Sequence, residues 1–155
     1  MSLVHDRLYA NQDLSAIDFS AYLDQLKIQI MQSYHPMGER VALQMLSEPI
    51  LISIDKAVPL ALVVNELIVN ALKYAFPAPR AGQVDVRFYQ QDDGLILEVE
   101  DDGIGVGSDT FSDSLSTVIL KGLVEDQLKG SLTMSSEEGS SFTVTLPFEK
   151  IKRRV

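Results

Sequence analysis

Apolar and polar positions recur along this chain with two different periods, and the switches between them mark out its elements. Over residues 18–34, Phe19, Tyr22, Leu23, Leu26, Ile30 and Tyr34 fall three or four apart. That is helical spacing, and Asp18 stands where an N-cap would accept from the first free backbone N–H groups. "RVALQML" and "ILISI" read as two strands around a Ser-Glu-Pro turn. A long apolar run from about 56 to 76 predicts a second helix, stopped by "FPAPRAG". "QVDVRFYQ" alternates, Asp-Asp-Gly turns and "LILEVE" returns, which is the pattern of a hairpin. A polar loop, "GSDTFSDS", leads to a further amphipathic helix over "TVILKGLVEDQLKG". "SLTMSS", an "EEGS" turn and "SFTVTLPF" close the chain, before a basic end, "KIKRR", that reads as a solvated tail. Helices and strands intermingle with no repeat and no internal boundary, so the pattern predicts one mixed α and β domain.

The second predicted helix poses a question. "LVVNELIVNALKYAF" is almost wholly apolar, yet it carries Glu66, Asn70 and Lys73. At about 100° per residue, Asn70 lies about 40° to one side of Glu66 and Lys73 about 20° to the other. The three share one narrow stripe, and the other faces carry Leu60, Val64, Leu67, Ile68, Ala71, Leu72 and Ala75. One reading is the solvated face of an ordinary helix. Such a face is usually wider and richer in Lys, Glu and Gln, and Asn is a poor residue for mid-helix. The other reading is a stripe facing a ligand. There Asn offers a hard carbonyl oxygen suited to Mg²⁺, Lys offers charge to a phosphate, and Glu can orient or deprotonate a hydroxyl or a water.

Composition narrows the classes. The 155 residues suit one domain with a real core, and 46% apolar with 23% charged residues is an ordinary globular balance. Without Cys there is neither a disulfide framework nor a thiolate metal site, and two distant His residues, His5 and His35, do not suggest a zinc centre. A net charge of −9 at pH 7 argues against a general nucleic-acid or anionic-membrane surface. No apolar run has the length and lack of charge of a membrane span, and no signal peptide opens the chain, so a cytoplasmic location is expected.

"LEVEDDGIGVG" is the second chemical feature, setting Asp101, Asp102, Gly103, Gly105 and Gly107 at the end of a strand. It is either an acidic, glycine-rich turn or a binding loop. A dinucleotide fingerprint does not fit, because Ser108 stands where the third glycine would fall and two Asp would repel a pyrophosphate. No phosphate-loop pattern of the G-x-x-x-x-G-K-[ST] type occurs. Asp-x-Gly-x-Gly does suit an acceptor aimed at a purine amino group, with glycines that let backbone lie against a flat base.

Taken together, "NELIVNALKYAFP", "VEDDGIGV" and "GSSFTVTLP" resemble the catalytic ATP-binding domain of sensor histidine kinases. Type II topoisomerases, mismatch-repair ATPases and a heat-shock chaperone share its superfamily. "HDRLYANQDLSAIDFSAYLDQL" also resembles one subgroup of these kinases. The resemblance covers nearly the whole chain. It implies a two-layer α/β sandwich, α+β in class, with a mixed sheet covered by helices on one face. It also implies the end of a dimerisation helix and linker over residues 1–17, an ATP-binding catalytic domain over 18–150 and a tail over 151–155.

The same resemblance implies roles. Asn70 would ligate Mg²⁺, Glu66 would assist phosphoryl transfer by orienting the nucleophile, Lys73 would contact phosphate and Tyr74 would line the nucleotide site. Asp101 would accept the adenine amino group, and Gly103 and Gly105 would sit by the base and begin the lid. Ser140, where the superfamily often has Thr, would reach towards the adenine-binding Asp, while Asp102 would be structural or solvated.

The chain departs from the family in two places. "DSLST" puts Ser114 and Ser116 where a glycine-rich box usually cradles phosphate, and the lid holds Asp109 and Asp113 with no basic residue before Lys121. The phosphoacceptor His of the family lies on an upstream dimerisation helix, and neither His5 nor His35 stands in a matching context. The expected function is therefore a histidine kinase's ATP-binding part, acting with a separate phosphoacceptor domain and, indirectly, a response regulator. A non-catalytic module of the same fold is the alternative.

Overall fold

The computed structural model describes residues 16–34, 41–74, 76, 81–104, 115–135 and 139–148, with the backbone alone at 74, 115 and 116. Its elements in chain order are β1 (Ala16–Asp18), α1 (Phe19–Ser33), β2 (Val41–Ser47), β3 (Leu51–Ser53) and α2 (Ile54–Tyr74). β4 (Gly82–Gln91), β5 (Gly94–Asp101), α3 (Leu115–Gly122), a π-helical turn (Leu123–Gln127), β6 (Ser131–Ser135) and β7 (Ser140–Pro147) follow. Five strands form one sheet in the order β2-β4-β5-β7-β6, while β1 and β3 pair apart from it. β2 runs parallel to β4 and the other ladders are antiparallel, so the main sheet is mixed.

Alternation decides which face is covered. Val84, Val86 and Phe88 of β4, Leu95, Leu97 and Val99 of β5, and Phe142, Val144 and Leu146 of β7 are all buried. Their register aligns them in rows, Val86 beside Val99 and Val99 beside Phe142. Leu60, Val64, Leu67, Ile68, Ala71 and Leu72 of α2 and Phe19, Leu23, Leu26 and Ile30 of α1 join the same core. The intervening strand residues form a polar outer face. There Arg87 pairs with Glu100 at 2.7 Å, and the Tyr89 hydroxyl donates to Glu98 at 2.7 Å. That hydrogen bond to Glu98 pushes the Tyr89 hydroxyl pKa up. The expected two-layer sandwich, with helices on one face of a mixed sheet, is the observed one.

Local chemistry accounts for the boundaries. Asp18 caps α1, its Oδ1 accepting the Ser20 N–H at 3.0 Å. The β4–β5 hairpin turns through Asp92 and Asp93, with Asp92 at φ 54°, a left-handed conformation Asp tolerates. Two strands flank the Ser-Glu-Pro turn as expected, and they form no hairpin, because β2 lies against β4 and β3 against β1. β1 itself was not expected, and its three residues are too few for a period to show. The helix expected over "TVILKGLVEDQLKG" begins at Leu115 and opens into a π turn, where the Leu128 N–H reaches back to the Leu123 carbonyl at 3.0 Å. Leu120, Val124 and Leu128 all stay buried through that change.

Leu67 has 1% of its surface exposed at the centre of this core. Leu67→Ala should lower the unfolding free energy by about 2–5 kcal/mol, the usual cost of such a cavity. Denaturant titration checks this, and a loss under about 1 kcal/mol would mean that α2 is not packed as described.

Candidate functional site

Two margins of the apolar layer carry the candidate chemistry. The first is the face of α2 that the sheet does not cover. Glu66 and Asn70 are half-buried there and Lys73 is exposed, while Leu67, Ile68, Ala71 and Leu72 between them are buried. The polar stripe is thus the uncovered strip of a helix packed on its other sides. One turn earlier that strip becomes apolar, since Leu62 and Val58 are 53% and 57% exposed. Tyr74 ends the helix, and its side chain lies outside the described residues.

The second margin is the end of β5. Leu95, Leu97, Val99 and Asp101 are successive core-facing positions of that strand, so Asp101 occupies the place of a fourth apolar residue. It is 7% exposed. A carboxylate so placed is tolerated only with hydrogen bonds. Its Oδ1 accepts the Gly103 N–H at 3.0 Å and the Ser140 N–H at 3.3 Å. Ser140 is Asp101's ladder partner on β7 and is itself buried. The preceding Gly139 has φ +102°, and a Cβ there would run into the Asp101 carbonyl oxygen. Glycine therefore lets β7 start close enough for the Ser140 N–H to reach the carboxylate.

The fold joins these margins through Phe76, just past the end of α2. A Cβ added at Gly82, the first residue of β4, would strike both the Phe76 ring and the Asp102 carboxylate. Phe76 is buried, so the end of α2 is packed beside the end of β5. From Glu66 to Tyr74 the helix rises about 12 Å towards Phe76. Asp102, read from the sequence as structural or solvated, is exposed and accepts the Gln83 N–H at 2.7 Å. The roles of Gly82 and Gln83 went unread in the sequence, because a lone glycine before a strand carries no signal of what it packs against.

Gly103 is buried beside Asp101. Gly105 and the lid stretch as far as Ser114 lie outside the described residues, as do His5 and His35, while Ser116 belongs to the first turn of α3. Among the described residues, no group of three or more His, Cys, Asp and Glu is placed to hold a metal. No helix among them is long and apolar enough to cross a membrane.

Comparison with known proteins identifies the family and the fold. Residues 55–150 match the family described as histidine kinase-, DNA gyrase B- and HSP90-like ATPase, and residues 1–34 match a histidine kinase family. The sensor histidine kinase PdtaS of Mycobacterium tuberculosis is 30% identical over 153 residues, which is 95% of this chain and 30% of that protein. PdtaS of Mycolicibacterium smegmatis is 29% identical over 94% of this chain and 30% of its own length. The chain thus spans under a third of the curated relatives it matches. Among solved structures, the histidine kinase domain of a blue-light activated kinase from Erythrobacter litoralis superposes with a TM-score of 0.76. It is 25% identical, over 86% of this chain and 68% of that one. The catalytic domain of histidine kinase ThkA gives 0.72 at 15% identity, over 86% of this chain and 94% of that one, a likeness of fold. The chain belongs to the histidine kinase-, DNA gyrase B- and HSP90-like ATPase family, and its fold is that of the histidine kinase catalytic domains.

Proposed function

We propose that this chain is the ATP-binding catalytic domain of a sensor histidine kinase, residues 18–150 forming the domain and 1–17 the end of a dimerisation helix and linker. It supplies Mg·ATP to a histidine on a separate phosphoacceptor helix of the parent kinase, from which a response regulator is served indirectly. The parent's signalling reaction takes place in the cytoplasm, with no nucleic acid and no membrane contact by this domain.

Asp101 carries the reading. Its carboxylate, anchored through Oδ1 by two backbone N–H groups at the end of an apolar row, is what an adenine amino group requires as acceptor. Val99 and Phe142, paired and buried, carry the apolar layer up to it. Gly103 and Gly105 lie against the base and begin the lid, Ser140 supports the acceptor, and Tyr74 lines the site. On α2, Lys73 meets phosphate and Asn70 offers a side-chain carbonyl to Mg²⁺. An amide oxygen is a hard donor of the kind Mg²⁺ takes, so Asn70 would fit an ion carried on the nucleotide. Glu66, one turn before Asn70, orients the incoming imidazole. The imidazole nitrogen bonds to the γ-phosphorus as the bond to the bridging oxygen breaks, and ADP leaves.

ATP affinity, measured by titration calorimetry, should fall about tenfold in Asp101→Asn, which exchanges a charged acceptor for an amide. GTP, with a carbonyl where adenine has its amino group, should bind poorly to the unaltered chain. Equal affinity for the two nucleotides would remove Asp101 from base recognition. In the full-length parent kinase, Glu66→Gln should lower the rate of phosphoryl transfer while largely sparing ATP affinity. Asn70→Asp should change which divalent ion supports binding. Transfer unchanged in Glu66→Gln would take Glu66 out of the mechanism.

A further inference from the structure

The residue after the adenine acceptor has a distinct place in the fold. Antiparallel pairing of β4 with β5 ends at Val84 opposite Asp101. Gln83 and Asp102 make the next step, but unequally. The Asp102 N–H donates to the Gln83 carbonyl at 3.2 Å, as a ladder would have it. The return bond goes instead from the Gln83 N–H to Asp102 Oδ1 at 2.7 Å. The carboxylate thus stands in for a backbone carbonyl, and the chain leaves the sheet directly after Asp101. The departure brings the Gly103 N–H back to Asp101 Oδ1.

Two further facts hold this arrangement. Gly82 leaves no room for a Cβ beside the Asp102 carboxylate and the Phe76 ring, so only glycine lets the carboxylate, the ring and the start of β4 meet. Phe76 is 2% exposed. Asp101 is therefore set from both sides, by Ser140 and Gly103 on one and by the clamp of Asp102 on Gln83 on the other.

We infer that Asp102 is a positioning residue for base selection: its carboxylate, bonded to the Gln83 N–H against Gly82, fixes the point at which β5 ends and hence the aim of Asp101. The inference rests on the reading of Asp101 as adenine acceptor. It predicts an effect on discrimination between bases, not on nucleotide binding in general. A loss of phosphate contacts or of overall stability would weaken ATP and GTP together. A misaimed acceptor weakens ATP alone.

The test is calorimetric titration of the chain with ATP and with GTP, the ratio of affinities being the readout. Asp102→Ala should lower the preference for ATP by about tenfold, the scale of one hydrogen bond to a charged group. Asp102→Asn, whose amide oxygen accepts the same bond, should recover most of it. Gly82→Ala, which pushes on the clamp from β4, should lower it as Asp102→Ala does. Amide exchange at Gln83 should quicken in Asp102→Ala and not in Asp102→Asn, confirming that the bond itself was lost. If Asp101→Asn lowers the preference while Asp102→Ala leaves it within about twofold, the positioning role is overturned and the reading of the site stands. If Asp101→Asn also leaves it unchanged, the reading of the site falls and this inference with it.

Discussion

The one-sided burial of the five-stranded sheet is the constraint on which the rest depends. Every other residue of β4, β5 and β7 faces the helices, and the residues between them form a charged and hydroxylated outer face. α2 must spend most of its circumference on that single apolar layer, so only one strip of it is left uncovered. Where the layer ends, at Asp101, the inward row meets a carboxylate instead of another Leu or Val. Both halves of the proposed site are therefore edges of the core, one on α2 and one at the end of β5.

An acid at the edge of a core is stable only when its oxygens are bonded, since desolvation of an ionised carboxylate is costly. The backbone answers here by bringing N–H groups from two directions. The positive φ of Gly139 opens β7 just where the Ser140 N–H is needed, and the tight exit from β5 supplies the Gly103 N–H. A carboxylate held by backbone in this way has a fixed direction, and direction is what recognition of a base edge demands. On the helix side the requirement is looser. Lys73 is exposed on a flexible stem, which in the proposed site offers charge more than fixed geometry.

Likeness of fold outlasts likeness of sequence in this protein. The catalytic domain of ThkA shares 15% of its residues with the chain and superposes with a TM-score of 0.72. A sandwich of this kind needs apolar residues at the inward positions and little in their exact identity, provided volume and pattern are kept. Glycine at a φ of +102°, or glycine beneath an aromatic ring, cannot be exchanged so freely.

Much of this was legible in the sequence, and the limit has a physical form. The periods of two and of 3.6 marked α1, α2, the β4–β5 hairpin and the last two strands, because side-chain direction is set by local backbone geometry alone. Spacing also put Glu66, Asn70 and Lys73 on one stripe, since three residues on one helix need no partner to define their relation. What pairs with what was not legible. β2 lies beside β4 and not beside β3, and β1 exists only because β3 offers it an edge, both being matters of contact between distant segments. The Asp102 carboxylate bonded to the Gln83 N–H, and the fit of Gly82 beneath Phe76, belong to the same class. The sequence by itself determined which residue types stood in which local frames. Only the tertiary structure decided which of those frames touch, because hydrogen bonds between strands and packing between layers join positions that no local period relates.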